Sequence, residues 1–330
     1  MSTVSASSAS SSSSSSSDTA AVERPDGDPG TPPSSRAMSL PVGLLKLARP
    51  KQWAKNILVF AAPAAAGVLD NREFALDAAM AFVCFCLAAA GTYYVNDARD
   101  AEADRLHPQK ARRPVASGVV PVPLAYAGGA VLLAASIALA LTVNNNLALT
   151  TGGYIVLTTA YSSVLKHVAV VDLVAVAAGF VLRAVAGAAA TDVPISDWFF
   201  LVTSFGALFM ISGKRAAEAK EMGDGASEFR SVLAAYSPSY TAYLRSVTSG
   251  AVLVAYCLWA FEKADTVGAS VSVPWYQLSI LPFVMAVLRY ALVLDQGRGS
   301  APEEIILGDR PLQLIGLVWA VVFAIGVYTA

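Results

Sequence analysis

Nine residues in the middle of the chain, Asn96 to Asp104, carry side chains that could bind a metal ion and a phosphorylated substrate. They directly follow the apolar run 74–95. If the helix predicted for that run continues, the spacing of Asp97, Asp100 and Asp104 places three carboxylates on one helical face, with Asn96 beside them. Carboxylates at the C-terminal end of a helix oppose its dipole. A hard cation such as Mg²⁺, held by carboxylates, water and substrate phosphates, would offset their repulsion.

The alternative interpretation of this segment is a solvated helix end whose charge is balanced by Arg99 and Arg105. Three basic residues follow the acids: Lys110, Arg112 and Arg113. Cations this close to a carboxylate cluster suit a ligand with several phosphates, because a metal takes one part of it and side chains take another. Basic residues in such a loop also direct membrane topology, which is the competing explanation.

A second basic group, Arg49, Lys51 and Lys55, precedes the first long apolar segment. Lys51 and Lys55 are four residues apart, so we expect them to share one helical face. There they would hold the phosphate of a lipid that enters from the inner leaflet. An anchor to anionic lipid headgroups is the alternative.

A third charged group, Lys214, Arg215 and Glu218, ends a later apolar run. We expect the two cations to bind phosphate and Glu218 to orient a cation or assist the metal. Cations at a helix C-terminus are also favoured by the helix dipole, which leaves a purely structural role open.

Arg183 lies deep within a predicted membrane span, after Tyr161, Lys166 and Asp172 in the chain. It is eleven residues into the span, or roughly 16 Å at helical rise. A guanidinium at that depth is costly unless it faces a polar cavity, so we expect a ligand phosphate or an acid on another helix as its partner. Asp172 is three turns away and cannot reach it along the helix. A structural ion pair is the alternative.

The composition indicates an integral membrane protein. Of the 330 residues, 55% are hydrophobic and only 14% are charged, against about 25% in soluble domains. The three cysteines lie in apolar runs and are expected to be packing residues, and two histidines are too few for a histidine-ligated metal site. We expect no nucleic-acid partner, and a homo-oligomer is compatible with the sequence.

The chain is predicted to be an all-α, polytopic membrane protein with nine transmembrane helices. Residues 1–40, rich in serine, cannot bury a core and are expected to be disordered, whereas 41–330 form the membrane domain. Most Lys and Arg residues flank the spans on one side, which predicts a plasma-membrane protein with the polar site facing the cytoplasm. The predicted spans are 54–69, 74–95, 122–142, 147–165, 168–190, 197–213, 246–262, 276–294 and 311–328.

The acidic segment resembles the first acidic motif of the UbiA-type intramembrane prenyltransferase superfamily, Asn-Asp-x-x-Asp-x-x-x-Asp after the second of nine helices. Five other segments resemble one subgroup, the decaprenyl-phosphate phosphoribosyltransferases. The second acidic motif of the aromatic prenyltransferases is replaced here by Lys214-Arg215-x-x-Glu218. The resembling segments are Arg49-Pro50-Lys51-Gln52-Trp53-x-Lys55-Asn56, Arg113-Pro114-x-x-x-Gly118, Tyr161-x-x-x-Leu165-Lys166-His167, Gly213-Lys214-Arg215-x-x-Glu218 and Glu303-x-x-x-Leu307-x-Asp309-Arg310.

The resemblance implies transfer of phosphoribose from 5-phosphoribosyl 1-diphosphate to a polyprenyl phosphate, with release of pyrophosphate, as a supply of cell-wall arabinan precursor. It implies Mg²⁺ held by Asn96, Asp97 and Asp100, with Asp104 acting through water or a second metal. The basic residues named above and Tyr161 would bind the two substrates, and the sequence does not divide them between the phosphates. An aromatic-acceptor prenyltransferase is the main alternative, and a carrier or channel is the other.

Overall fold

The computed structural model describes residues 38–222, 231–267, 273–296 and 302–329. Within these ranges the chain is all-α and contains no strand, as the sequence predicts. The α-helices are α1 (Leu40–Leu47), α2 (Ala61–Ala65), α3 (Arg72–Arg99), α4 (Ala101–Leu106), α5 (Val122–Val143), α6 (Asn145–Ser163), α7 (Val171–Thr191), α8 (Asp197–Met222), α9 (Pro238–Val267), α10 (Trp275–Asp295), α11 (Pro302–Gly308) and α12 (Arg310–Thr329).

Six helices of the described residues are long and apolar enough to cross a membrane: α3, α5, α7, α9, α10 and α12. Helices α6 and α8 coincide with two further predicted spans. Their composition is more polar, because α6 contains several Thr, Ser and Asn residues and α8 ends in a charged turn. The chain is therefore a multi-pass α-helical protein, and the count of nine spans remains a prediction. The serine-rich segment 1–37 lies outside the described residues.

The first predicted span, 54–69, is not one continuous α-helix. Residues Pro50–Phe60 form a 3-10 helix, and the short α2 follows directly. A 3-10 helix has about three residues per turn, so residues three apart eclipse one another and residues four apart diverge. This corrects the expectation that Lys51 and Lys55 share a face. Lys51 is exposed, whereas Lys55 Nζ donates to Gln52 Oε1, one 3-10 turn away, at 2.6 Å.

Close backbone contacts hold the 3-10 helix and the first helices together. A Cβ on Gly187 of α7 would lie 1.7 Å from the carbonyl oxygen of Val59, so only glycine permits this approach. A Cβ on Gly91 of α3 would lie 3.0 Å from the carbonyl oxygen of Gly129 in α5. Phe85 and Leu147 fill the core beside these contacts. The 3-10 helix is therefore docked directly onto the backbone of α7.

Polar contacts show that the helices α3, α5, α6 and α7 alternate in direction. Asn144, between α5 and α6, donates to the carbonyl oxygens of Ala189 and Ala190 at the end of α7. At the other end, Asn96 of α3 donates to Ser162 of α6. The ends of α3 and α6 therefore meet on one side, as the predicted topology requires, and the polar residues of interest gather there.

The C-terminal helices pack through aromatic side chains and one ion pair. Trp319 of α12 donates to the hydroxyl of Tyr256 in α9 at 2.7 Å, and that hydroxyl is also 2.7 Å from Ser279 Oγ in α10. Arg289 of α10 makes two hydrogen bonds to Asp309, which also accepts the backbone N–H of Leu312 at the start of α12. The charged segment before the last helix therefore has a structural role. The side chains of Glu303 and Glu304 lie outside the described residues.

Candidate active site

The acidic segment bridges two helices rather than continuing one. Helix α3 ends at Arg99, and α4 begins at Ala101. Asp100 stands at the junction with φ −88° and ψ 4°, and its carbonyl still accepts the N–H of Asp104 at 2.8 Å. Asp97 and Asp104 are buried, with 3% and 4% of their surface exposed, while Asp100 is partly exposed.

Two arginines bind the buried carboxylates. Arg49 Nη2 lies 2.6 Å from Asp97 Oδ1. Arg113 Nη1 lies 2.7 Å from Asp104 Oδ2 and 3.4 Å from Asp97 Oδ1, so one guanidinium joins both acids. These cations offset the repulsion that the carboxylates feel from each other and from the end of the α3 dipole. Because Arg113 contacts both acids, it draws Asp97 and Asp104 together.

Arg49 has an uncommon backbone conformation that delivers its side chain to this point. Its φ of 51° and ψ of 59° are left-handed, and Pro50 follows it. Such a conformation in a residue other than glycine costs about 1–3 kcal/mol. The guanidinium stacks over the ring of Tyr93 at 4.5 Å while it pairs with Asp97. The sequence grouped Arg49 with two lysines, and the structure distinguishes it as the residue that reaches the acids.

Asp100 and Asn96 have different partners from the buried acids. Arg99 Nε lies 3.1 Å from Asp100 Oδ1, and the same guanidinium donates to Ser162 O and Ser163 Oγ. Asn96 Nδ2 donates to Ser162 Oγ at 2.9 Å. These bonds tie the end of α3 to the end of α6. The one-faced triad of acids is thus divided: Asp97 and Asp104 share Arg113, and Asp100 pairs with Arg99.

The donor chemistry of this segment fits Mg²⁺. Among the described residues, no group of three His, Cys, Asp or Glu side chains could by itself hold an ion. Mg²⁺ is usually bound through only one or two carboxylates, with water and substrate phosphates completing its shell. Asp97 and Asp104, joined through one nitrogen of Arg113, supply two buried carboxylates of that kind. The ligand set Asn96, Asp97 and Asp100 stays a prediction.

A cavity of about 250 Å³ opens beside the acidic segment, between the 3-10 helix and helices α3, α6, α7 and α8. No Asp or Glu side chain from the described part of the chain lines it. Its polar lining residues include Lys55, Asn96, Tyr154, Tyr161, Arg183 and Lys214. The structure thus brings several of the predicted substrate-binding residues to one chamber, and three of its lining residues are basic.

Arg183 is held at the inner part of this cavity by neutral groups. Its Nε donates to Asn56 Oδ1 at 2.7 Å, its Nη1 to Gly179 O at 2.7 Å and its Nη2 to the Tyr154 hydroxyl at 2.9 Å. The guanidinium also lies 4.7 Å from the Tyr154 ring centroid and 5.6 Å from that of Phe180. Among the described residues no acid on another helix binds Arg183, and the ligand phosphate remains the predicted partner. Arg183 is 8% exposed and lines the cavity.

Arg215 belongs to a buried ion-pair network instead of the cavity wall. Its Nε and Nη2 bind the two carboxylate oxygens of Asp172 at 2.8 and 3.0 Å, and its Nη1 binds Glu218 at 2.5 Å. The Tyr161 hydroxyl donates to Asp172 at 2.9 Å. Asp172 is 0% and Arg215 2% exposed. This corrects the expectation that Arg215 itself binds a phosphate: it fixes Glu218 and Tyr161 beside Lys214.

Four other predicted cations stay away from the cavity lining. Lys51, Lys110 and Arg112 are exposed, and Lys166 is half-buried in a short 3-10 turn. Lys110 and Arg112 lie just before Arg113, next to the buried acids, so they remain available to a ligand that approaches from water.

Comparison with known proteins decides the family of this chain. The sequence profile described as the UbiA prenyltransferase family matches residues 57–307, which is most of the chain. The chain belongs to the UbiA prenyltransferase family. The match begins just after the segment that carries Arg49 and Lys55, so the UbiA profile covers the acidic segment and the cavity helices but not that segment.

Curated relatives within the UbiA family are similar along most of their length. The decaprenyl-phosphate phosphoribosyltransferase of Corynebacterium glutamicum is 42% identical over 94% of this chain and 92% of its own. The protein of the same name from Mycobacterium tuberculosis H37Rv is 43% identical over 85% of this chain and 93% of its own.

Solved UbiA structures share the fold at low sequence identity. A UbiA homolog from Archaeoglobus fulgidus bound to GPP and Mg²⁺ has a TM-score of 0.66 at 18% identity, covering 87% of this chain and 99% of its own. The structure of a digeranylgeranylglyceryl phosphate synthase has a TM-score of 0.61 at 16% identity, covering 88% and 99%. The all-α architecture is therefore that of UbiA proteins.

Two residues of the site, Tyr154 and Asn56, are not predicted as functional candidates from the sequence. Tyr154 lies seven residues before Tyr161, two helical turns along α6, and this spacing was the available signal that both face one chamber. Asn56 was part of a resembling motif, but only the 3-10 geometry turns it inward to Arg183. It also donates to Cys86 Sγ at 3.2 Å, and the described cysteines are all free, as expected of packing residues.

Proposed function

We propose that this chain transfers the 5-phosphoribosyl group of 5-phosphoribosyl 1-diphosphate to decaprenyl phosphate. The observation that carries the proposal is the pair of relatives named for this activity, which match at 42% and 43% identity over most of both chains. The products are 5-phosphoribosyl-1-phosphodecaprenol and pyrophosphate. A phosphate oxygen of the lipid forms the new bond to C1 of the ribose, and the bond from C1 to the diphosphate breaks.

The donor binds at the acidic segment and its arginines. Its diphosphate gains negative charge as the bond to C1 breaks, and Arg49 and Arg113 supply cations at the buried acids. Bidentate guanidinium contacts suit such phosphate groups. Lys110 and Arg112 reach the 5-phosphate from the water side. Lys51 and Lys166 add two further basic side chains around the site.

Mg²⁺ is the proposed cofactor, held by Asn96, Asp97 and Asp100, with Asp104 acting through water or a second ion. When bound, it would neutralise the leaving diphosphate. A UbiA homolog of the same fold, solved bound to GPP and Mg²⁺, supports a divalent ion as the cofactor.

The acceptor needs positioning rather than a strong base. A phosphate monoester is already anionic near neutral pH, so its oxygen can attack without loss of a proton to the enzyme. The chain has only two histidines, and neither lines the cavity. What the reaction requires is a near-attack placement of the lipid phosphate against C1.

The lipid tail lies in an apolar groove of about 450 Å³ between α6, α7 and α8. Its walls include the small residues Ala177 and Ala178 and the larger Val181, Phe200 and Leu208. A polyprenyl chain has the same character as these walls, and it can reach them from the bilayer.

The site faces the cytoplasm of a plasma-membrane protein. The basic residues concentrate at the ends of the spans that carry the acidic segment and the cavity, which fits the positive-inside distribution. The donor is a charged, water-soluble sugar phosphate, so it is supplied from that side. The lipid product would then feed the synthesis of cell-wall arabinan precursors.

The decisive experiment gives the purified protein two sets of substrates. The first is 5-phosphoribosyl 1-diphosphate labelled in the ribose, with decaprenyl phosphate and Mg²⁺. The second is an aromatic acid with a prenyl diphosphate. We expect label to appear in the lipid in the first case and no prenylated aromatic product in the second. A prenylated aromatic acid without labelled lipid would overturn the proposal in favour of the aromatic-acceptor alternative.

A further inference from the structure

Arg183 is a buried cation whose hydrogen bonds all go to neutral groups. It is 8% exposed and lines the cavity. Its guanidinium donates to an amide oxygen of Asn56, to the backbone carbonyl oxygen of Gly179 and to the hydroxyl of Tyr154. Within the part of the chain that the structure describes, no Asp or Glu pairs with it. The positive charge of Arg183 is therefore solvated by dipoles and is not cancelled.

The guanidinium of Arg183 also keeps hydrogen-bond donors for a ligand. An arginine has five N–H donors, one on Nε and two on each terminal nitrogen. The contacts with the described residues use one donor on each of the three nitrogens. One N–H on each terminal nitrogen is therefore left for a ligand in the cavity. Charged N–H donors of this kind form strong bonds with phosphate oxygens.

The hydroxyl of Tyr154 can donate to the same ligand. It must accept its bond from Arg183, because a guanidinium has no acceptor. Its own hydrogen is therefore not used in that bond. Tyr154 is 4% exposed, and it lines the cavity together with Arg183. An anion beside Arg183 can thus receive charged and neutral donors at once.

Asn56 fixes the guanidinium from behind. It is 0% exposed and does not line the cavity, so it acts on a ligand only through Arg183. Its Nδ2 donates to Cys86 Sγ at 3.2 Å, and its Oδ1 accepts from Arg183 Nε at 2.7 Å. Since Arg183 can only donate, the amide has one orientation that satisfies both neighbours. Asn56 therefore orients the guanidinium without adding a charge.

The neutral amide at position 56 is informative because an aspartate has nearly the same shape. A carboxylate there would accept the same bond from Nε, and Cys86 would have an S–H to donate to its other oxygen. It would also be the stronger partner of a buried guanidinium, because a bond between two charged groups is stronger than one to a neutral oxygen. An arginine that served only to hold the fold together would gain from that carboxylate. With an asparagine, the charge of Arg183 remains available to a ligand.

We propose that Asn56 is a positioning residue that orients Arg183 and preserves its positive charge for a substrate phosphate in the cavity. The inference rests on the proposed function, in which both substrates carry a phosphate monoester. One is the 5-phosphate of the donor, and the other is the phosphate of the lipid. Arg183 has the chemistry to bind either of them, and the experiment distinguishes the two sources.

The test replaces Asn56 by aspartate and measures phosphate binding and stability separately. Purified full-length protein in nanodiscs is titrated with farnesyl phosphate and with ribose 5-phosphate, and its unfolding midpoint is measured without ligand. Asn71→Asp is the matched control, since it introduces the same charge at the other end of α3. There Asn71 caps the helix by accepting the N–H of Glu73, and an aspartate caps a helix equally well.

We expect Asn56→Asp to weaken binding of at least one of the two ligands about tenfold or more, the effect of losing a charge-assisted bond. Its unfolding midpoint should stay the same or rise, because the buried cation gains an opposite charge. Loss of farnesyl phosphate binding assigns Arg183 to the acceptor, and loss of ribose 5-phosphate binding assigns it to the donor. Asn71→Asp should keep both affinities within about twofold, since its charge is exposed and screened. Wild-type affinity of Asn56→Asp for both ligands would overturn the proposal.

Asn56→Ala tests orientation without added charge, and it serves also if Asn56→Asp does not fold. It removes a buried acceptor, so its unfolding midpoint should fall below that of the wild type. Its affinity should fall less than that of Asn56→Asp, because Arg183 keeps its charge. In an Arg183→Met background, Asn56→Ala should cause no further loss of affinity. An equal loss in that background would show that Asn56 does not act through Arg183, and the proposal would fail.

Failure of the proposed function would look different. Wild-type protein would then transfer no phosphoribose to decaprenyl phosphate, although the variants of Asn56 would still report on phosphate binding. Normal wild-type transfer, combined with unchanged affinities in Asn56→Asp, would refute only the positioning role of Asn56.

Discussion

Gly187→Ala is expected to disable the enzyme from a position that touches neither substrate. The added Cβ would lie 1.7 Å from the carbonyl oxygen of Val59 and 2.8 Å from its carbonyl carbon. Real Cβ atoms essentially never come closer than 3.0 Å to a heavy atom of a residue that they merely pack against. The backbones of α7 and the 3-10 helix must therefore separate by about 1.3 Å, the difference between those two distances.

That movement propagates to the site through the geometry of both helices. Asn56 lies one 3-10 turn before Val59, and Arg183 lies one α-helical turn before Gly187. Their hydrogen bond is 2.7 Å long, and a separation of this size breaks it. The same 3-10 helix carries Lys55 into the cavity. A misplacement of about 1 Å in a positioning element can cost on the order of 100-fold in rate.

The assay compares phosphoribosyl transfer at saturating substrate with the unfolding midpoint of the purified variant. We expect a rate loss of about 100-fold and a destabilisation of about 1–3 kcal/mol from the forced separation. Gly153→Ala on α6 is the matched control, since nothing lies within 4 Å of its added Cβ. If Gly187→Ala turned over as fast as Gly153→Ala, the 3-10 helix would not be positioned by this contact and the reasoning would fail.

Four further substitutions test the other parts of the site. Asp97→Asn and Asp100→Asn should each abolish Mg²⁺-dependent transfer in a protein that still elutes as a folded species, and near-normal turnover of either would contradict the metal assignment. Asp172→Asn removes one of the two carboxylates that bind the buried Arg215 and leaves Glu218, so thermal or denaturant unfolding should show a loss of about 1–3 kcal/mol. Arg183→Met should lower the transfer rate more than the stability, whereas an unchanged rate with a lower melting point would assign it a structural role.

Much of the architecture follows from hydrophobic length alone. The bounds of α3, α5, α7 and α12 agree with predicted spans to within a few residues, because a run of about 20 apolar residues has few alternatives to a membrane-crossing helix. The segment 50–60 does not agree with its predicted span, because its apolar spacing is compatible with both α and 3-10 geometry. The close contact of Val59 with Gly187 is a tertiary feature that the local sequence does not reveal.

For the site, the sequence indicates candidate residues by their type but does not give the partners of their side chains. In the sequence, Asp97 and Lys214 stand out as charged residues at the ends of apolar runs, and Arg183 as a charged residue within one. It could not divide the cations between those that bind ligand and those that bind protein. Arg215 and Lys214 are adjacent in sequence, yet a helical step of about 100° turns one into a buried network and the other into the cavity.

The partners of the buried arginines indicate where an anion belongs. Burial of a charge is costly unless an opposite charge or several hydrogen bonds accompany it. In the described part of the chain, Asp172 supplies the opposite charge that offsets the burial of Arg215. The hydrogen-bond acceptors of Arg183 are instead an amide, a carbonyl and a hydroxyl. These dipoles orient the guanidinium without neutralising it. A structural arginine would be stabilised more by a carboxylate. The retained positive charge of Arg183 therefore favours a mobile anion, such as a substrate phosphate, in the cavity that Arg183 lines.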